Sequence, residues 1–250
     1  MRMIIYTLIA LTFFLSSPVS HAQYFQADFM KRKAADKESM RWTITDWIAQ
    51  RKKIDLMSMW LTANRSKSIF EVDLGGSTSR LKVKSEVGGV SVEDTYNATR
   101  YNLSMFVYMV GLQGSLMDSD EGFKQWSANV NLRLLGSSQQ NTRLNVKYGF
   151  REREEDLSHE KWAQQFAGAE INLYVTHFMG LEGDYNYYFK DTSNNGTELF
   201  GDESRAGIFL EFGLLRLFGH YRHDRETRRI SGVDTHVRRE GLEYGGKLSF

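Results

Sequence analysis

Gln125-Trp126-Ser127-Ala128-Asn129-Val130-Asn131-Leu132-Arg133-Leu134 sorts into two sets without exception: Trp126, Ala128, Val130, Leu132 and Leu134 are apolar, and the residues between them are polar. A period of two belongs to an extended strand, whose side chains point alternately to its two faces. Beyond the polar turn Gly136-Ser137-Ser138-Gln139-Gln140-Asn141 the pattern resumes, with Leu144, Val146, Tyr148 and Phe150 on one face and Arg143, Asn145, Lys147 and Arg151 on the other. The pair reads as a hairpin.

Two more hairpins follow from the same alternation. A tight turn at Gly213-Leu214 pairs Phe212 with Leu215, Leu210 with Leu217 and Ala206 with Tyr221, and sets Glu211 against Arg216 on the polar face. A turn at His177-Phe178-Met179 pairs Val175 with Leu181 and Ile171 with Tyr185, and on the polar face Tyr174 with Glu182 and Asn172 with Asp184. Matching apolar partners and opposite charges stabilise a register, and a slip of one residue would invert both faces. Counting along the chain gives strands near 68–75, 79–87, 98–114, 124–135, 142–152, 161–176, 180–190, 204–213, 215–225 and 239–250. The expectation is an all-β, closed, antiparallel up-and-down barrel of about ten strands, with eight and twelve as alternatives. The connections 136–141, 177–179 and 213–214 fall at one end and are short, while 115–123, 153–160, 191–203 and 226–238 are longer and fall at the other.

Composition narrows the function. The 250 residues carry 32 Lys and Arg against 31 Asp and Glu, 13% aromatic residues, one Pro and no Cys, and the mean hydropathy is −0.45. Net charge +1 gives no general attraction to nucleic acid, and the lack of Cys excludes thiol catalysis, disulfides, cysteine-ligated zinc and a lipoprotein anchor. Met1-Arg2, the apolar run Met3 to Leu15 and the small residues of Ser20-His21-Ala22 form a secretory signal peptide cleaved after Ala22. The domain reading is thus 1–22 signal peptide, 23–67 periplasmic linker with an amphipathic helical segment, and 68–250 barrel.

The alternating faces suit either a soluble barrel with charges outward or a membrane barrel with charges inward. Opposite signs mixed on the polar face favour the second. Arg133, Arg143, Lys147, Arg205, Arg216 and Lys247 share that face with Glu170, Glu182, Asp184, Glu211 and Glu243, as a narrow, self-neutralising lumen requires. Trp126, Phe150, Trp162, Tyr185, Tyr187, Phe189, Tyr221 and Phe250 gather toward strand ends, where interfacial girdles sit.

The chain ends Glu243-Tyr244-Gly245-Gly246-Lys247-Leu248-Ser249-Phe250. This resembles the C-terminal assembly signal of bacterial outer-membrane β-barrel proteins, with Glu243, Gly245, Leu248 and Phe250 in its polar, glycine, apolar and terminal aromatic places. The resemblance implies export to the outer membrane, insertion by the barrel-assembly machinery and contact with outer-membrane lipid including lipopolysaccharide. It covers about 68–250 and identifies no subfamily.

Before the barrel, Ile44, Trp47, Ile48, Ile54, Met57 and Leu61 recur at helical spacing after Thr43, which predicts one broken or two short helices at 44–62. They would plug the periplasmic mouth, lie on the membrane or bind a periplasmic or extracellular protein partner. Phosphate loops, zinc-binding helices and nucleophile elbows are absent, and the six His are scattered, so no metal or cofactor is expected. The candidate catalytic group is His220 with Asp224 and a serine such as Ser204, a base, its orienting carboxylate and a nucleophile. The plainer reading is a histidine held in a charged lumen. Arg228, Arg229, Arg238 and Arg239 are candidates for lipopolysaccharide phosphates, against the plainer reading of solvated charge. A small barrel is filled by its own side chains, so the first function expected is a non-enzymatic envelope-structural or surface-recognition role. An outer-membrane protease or lipid-modifying hydrolase with a rim site and a narrow pore are the alternatives.

Overall fold

A computed structural model describes Thr43 and residues 69–87, 90–230 and 232–250. The expected signal peptide and the helices at 44–62 lie outside the described residues. Ten antiparallel strands run in chain order: β1 (Phe70–Val87), β2 (Val90–Val107), β3 (Val110–Ser119), β4 (Phe123–Leu135), β5 (Arg143–Glu155), β6 (Lys161–Tyr174), β7 (Met179–Thr192), β8 (Glu198–Phe212), β9 (Leu215–Ile230) and β10 (Val233–Ser249). Each pairs with the next, and β10 returns to β1 through the register Asp73↔Ser249 to Val87↔Thr235, so the sheet closes on itself. A closed sheet pairs every strand edge within the band it closes.

The number of strands agrees with the sequence reading, but the division of the first third differs. The expected hairpin 68–75/79–87 is one continuous strand, because Gly75-Gly76-Ser77 is small-residue strand rather than turn. The expected single strand 98–114 is instead broken at Tyr108-Met109 into β2 and β3, with Tyr108 at φ 54°. This turn is apolar throughout and carries no composition signal. The β8–β9 register is the one read from the sequence, including Phe212↔Leu215, Ala206↔Tyr221 and Glu211↔Arg216. The β6–β7 register is shifted by two residues, to Ile171↔Gly183 and Asn172↔Glu182. Its turn closes one residue earlier, because the Thr176 hydroxyl oxygen accepts from Met179 N at 3.1 Å and Val175 N donates to Met179 O at 3.0 Å.

The long polar loops expected at one end are largely strand. β9 and β10 run to Ile230 and from Val233, and the charge-dense 151–155 and 222–229 lie within β5 and β9. Charge on both faces hides the period there: inward charges pair with each other, outward charges meet water, and the ladder continues.

The exterior is apolar over one band. Leu74, Leu103, Leu112, Leu116, Val130, Leu132, Val146, Tyr148, Ile171, Leu181, Ile208, Leu217 and Leu242 are all exposed. Tyr101, Trp126, Phe150, Tyr185, Tyr187 and Tyr221 line its upper border, also exposed. Above that border the outward residues turn polar, as in Arg80 and Lys82 of β1, Lys124 of β4, Arg225 of β9 and Glu240 of β10. Trp162, expected in the girdle, points inward instead and is fully buried, its Nε1 donating to Thr197 O at 3.0 Å. A barrel that exposes this much contiguous apolar surface and buries its charges has the solvent order of a membrane protein reversed from a soluble one.

Candidate functional site: the lumen

Strand parity sends Arg100, Arg133, Arg143, Lys147, Arg151, Arg153, Glu203, Glu211, Arg216, Arg222, Glu226, Arg239 and Glu243 inward, and all are buried. They meet in three layers. At the end where β10 finishes, Arg133 donates to Glu71 at 2.9 Å and Arg143 pairs with Glu170 at 2.5 Å. Arg216 reaches Glu211 at 2.7 Å, Asn172 Oδ1 at 2.9 Å and the Tyr174 hydroxyl at 2.8 Å. Lys247 lies 3.3 Å from Asp73. The polar turn expected at 136–141 is, with Thr142, buried across this mouth. Gln139 N donates to Glu71, Gln139 O accepts from Arg143 and Arg216, and Gln140 Nε2 donates to Gly213 O at 2.6 Å. Thr43 forms an isolated parallel bridge with Tyr174 at the same end.

The middle layer holds Lys147 and Arg205 on Asp184, Arg100 on Glu203 at 2.8 Å, and Ser77 Oγ donating to Glu243 at 2.6 Å. Here His220 stacks on Phe218 at 4.8 Å between centroids and lies 3.9 Å from Glu182. A cavity of about 70 Å³ remains, bordered by His220, Glu182, Asp184, Arg205, Glu243 and Lys247. It is large enough for a few waters, and the buried ring nitrogens of His220 and Glu243 Oε2, with no hydrogen-bond partner among the described residues, border it.

The upper layer centres on Glu226. Its carboxylate accepts from Arg153 at 2.5 and 2.6 Å, from Arg151 at 3.1 Å and from Arg239 at 2.6 Å. Arg239 also crosses to Glu121 in the β3–β4 turn at 2.6 Å, and the Arg153 guanidinium sits 3.7 Å from the Phe123 ring centroid. Leu81, Ala98, Met117 and Phe123 pack as an apolar cluster beside it. This layer lies above the apolar band. Burial would raise the Glu226 carboxyl, but Arg153, Arg239 and Arg151 outweigh it and hold the group well below the usual carboxylate range. Burial pulls the Arg153 guanidinium down to about 10 despite Glu226.

Several residues singled out by sequence are separated by parity. Ser204 is on the outward face, its hydroxyl donating to His223 O at 3.4 Å, whereas His220 and Asp224 point inward. Asp224 is held by Arg222 at 3.5 Å and Arg239 at 3.6 Å, so the three do not form a base–nucleophile relay. The four arginines divide in the same way. Arg239 is fully buried, and Arg228 pairs with Glu155, while Arg229 and Arg238 face out with Asp234 and Glu240. In the terminal motif Glu243 and Gly245 face in and Leu248 faces out, and Phe250 N donates to Val72 O at 2.8 Å. Gly245 has no room for a side chain: a Cβ would lie 2.8 Å from the Phe218 ring and against Gly76 O. Arg100, Arg151, Arg153, Arg222, Glu203 and Glu226 were not singled out by sequence as lumen pairs. Strand parity was the available signal, but their partners lie across the barrel and only closure brings them together.

A closed antiparallel barrel with an apolar exterior, an aromatic border and a charged interior is the architecture of the bacterial outer-membrane β-barrel proteins. No family profile and no curated protein sequence matches the chain. Among solved structures it is similar to the outer membrane protease OmpT from Escherichia coli, at 10% identity and TM-score 0.37 over 72% of this chain and 96% of that one. Neisserial surface protein A is similar at 13% identity and TM-score 0.32, over 73% and 98%. The outer membrane protein OprG from Pseudomonas aeruginosa is similar at 11% identity and TM-score 0.26, over 75% and 98%.

Proposed function

We propose that this chain is a sealed outer-membrane barrel, an envelope-structural or surface-recognition protein that works through the sheet it raises beyond the membrane. The observation that carries the reading is the filled lumen. Three layers of cross-barrel ion pairs, the buried 136–142 connection and the Leu81–Phe123 cluster occupy the lumen, with a cavity of about 70 Å³ at mid-height. Salt bridges across a lumen cost desolvation and gain little net stability, so their use here suits filling and fixing a shape more than strengthening it. The end where β10 finishes is periplasmic in this reading, and the taller end of β8, β9, β10, β1 and β2 stands outside. The signal peptide read from residues 1–22 and the resemblance of Glu243 to Phe250 to an assembly signal support export and assembly along that route. Contact with lipopolysaccharide phosphates falls to Arg225, Arg229 and Arg238, each of which already holds a carboxylate, and is correspondingly weak.

The test is conductance. Purified protein refolded into a planar lipid bilayer is expected to give no discrete current steps under an applied voltage; reproducible single-channel steps would overturn the sealed reading in favour of a pore.

A further inference from the structure

The sheet is not closed at its full height. β2 pairs with β1 over all of Val90 to Val107, but β3 ends at Ser119, opposite Ala98. Among the described residues, 90–97 therefore have a strand on one side and none on the other. Asp120 N donates to Asn97 O at 2.9 Å, which fixes the direction of the backbone groups: those of the odd-numbered residues point to the open edge and those of the even-numbered ones to β1. The open edge thus presents the N–H and C=O of Ser91 and Glu93 and the C=O of Thr95. Among the described residues only the Thr95 N–H is covered, by Asp94 Oδ1 at 2.7 Å. Val90 and Val92 are 67% and 63% exposed beside it.

An unpaired edge is a template for another strand, and proteins normally blunt it with lysine, proline, a bulge or a covering loop. Here the edge carries no Lys and no Pro. Its charge has one sign: Glu93 and Asp94 lie on it, and Asp118 and Asp120 stand at its foot. Among these, Glu93 holds Lys82 at 2.7 Å, while Asp94 bonds the Tyr96 hydroxyl and Thr95 N, and Asp120 accepts from Asn97 Nδ2. No cation stands within ion-pair distance of Asp94, Asp118 or Asp120 among the described residues. Antiparallel pairing with a second copy of the edge would bring like charges together, whereas a basic strand meets them with opposite sign.

We infer that the 90–97 edge of β2 is a docking site for an extended, lysine- or arginine-bearing peptide segment of a partner protein, which adds to the sheet as an eleventh strand above the membrane. Backbone hydrogen bonds supply binding, and the acidic residues select a basic sequence. The inference rests on the proposed function for the placement of this edge outside the membrane, and its test is independent of conductance.

The test uses the full mature chain refolded in lipid nanodiscs and a fluorescent, end-capped heptapeptide alternating Lys and Val, read by anisotropy. The peptide is expected to bind saturably. N-methylation of alternate peptide backbone nitrogens, or Glu in place of Lys, is expected to weaken binding at least tenfold. Ser91→Pro together with Glu93→Pro removes two edge-facing N–H groups, which proline tolerates at a strand edge, along with the Glu93 carboxylate that holds Lys82; measured against Ser91→Ala with Glu93→Ala, which loses the same side chains and keeps both N–H groups, the proline pair is expected to cost the same factor with the heat-modifiable gel shift of the barrel retained. Asp94→Asn with Asp120→Asn keeps the backbone edge and tests the charge alone, with a severalfold loss expected. No saturable binding, equal binding of the N-methylated peptide, binding indifferent to the proline pair in a folded barrel, or concentration-dependent dimerisation through this edge would each overturn the inference. Failure here with a non-conducting barrel would leave the sealed reading standing.

Discussion

Glu226→Gln should be the most damaging single charge removal above the membrane. The carboxylate is fully buried and accepts from three guanidiniums, Arg151, Arg153 and Arg239, within 3.1 Å. Neutralising it leaves three cations crowded in a site from which water is excluded. Breaking a buried ion pair by removing one partner costs about 3–5 kcal/mol. The amide oxygen of Gln still accepts one hydrogen bond, so the lower end, about 3 kcal/mol, is expected; at about 1.4 kcal/mol per decade that is roughly a hundredfold in the folding equilibrium. The assay is reversible urea unfolding in lipid vesicles, followed by tryptophan fluorescence. A second substitution sharpens it. Arg153 is the cation that burial disfavours most clearly here, and its guanidinium covers Phe123. Glu226→Gln with Arg153→Met removes one excess charge, keeps an apolar cover on Phe123 and should recover at least a third of the loss. A loss below about 1 kcal/mol in the single variant, or no recovery in the double one, would refute the claim that this layer is held by charge balance.

Two further outcomes follow from the same geometry. Glu226 and Glu121 both titrate lower in the folded state than unfolded: burial raises each, and the arginines, above all Arg153 for Glu226 and Arg239 for Glu121, more than reverse it. Their stabilisation is therefore fully present above the unfolded carboxylate value of about 4.3 and is lost as pH falls through the folded values; the difference in urea midpoint between the native chain and Glu226→Gln with Glu121→Gln should be constant from about pH 7 to 5 and shrink below about pH 4. Gly245→Val should block assembly, read as loss of the heat-modifiable band, because its Cβ would strike Phe218 and Ser77 Cα at 2.8 Å. The neighbouring Gly246→Ala faces outward, meets nothing nearer than 3.6 Å and should assemble at the wild-type yield.

What the sequence made legible follows from where two faces differ in polarity. Across β4, β5, β8 and β9 below Tyr221, one face meets hydrocarbon and the other the lumen, so period, hairpins and even the Glu211↔Arg216 pairing can be read directly. In β9 above the membrane both faces are polar, the period fades, and 222–229 looks like a loop although it is strand. Turns made of strand-like residues, such as Tyr108-Met109, and strand made of turn-like residues, such as Gly75-Gly76, mislead in opposite directions and leave the strand number unchanged. Lumen partners such as Glu71 with Arg133 or Arg100 with Glu203 are 62 and 103 residues apart. Their meeting depends on the stagger with which β1 closes on β10, which no local pattern records.

The central claim is that apolar residues face lipid and charges face inward over one band of the barrel. The native chain has no Cys, so single cysteines introduced one at a time along 215–229 of β9, spin-labelled in lipid nanodiscs, report each position's contact with lipid-soluble oxygen or a water-soluble relaxing agent. The predicted profile has period two, with oxygen maxima at 215, 217, 219 and 221 and a switch to the aqueous agent at 223 and beyond on the outward face. Aqueous accessibility along the Leu215, Leu217 and Tyr221 face, or a profile without a period of two, would contradict it.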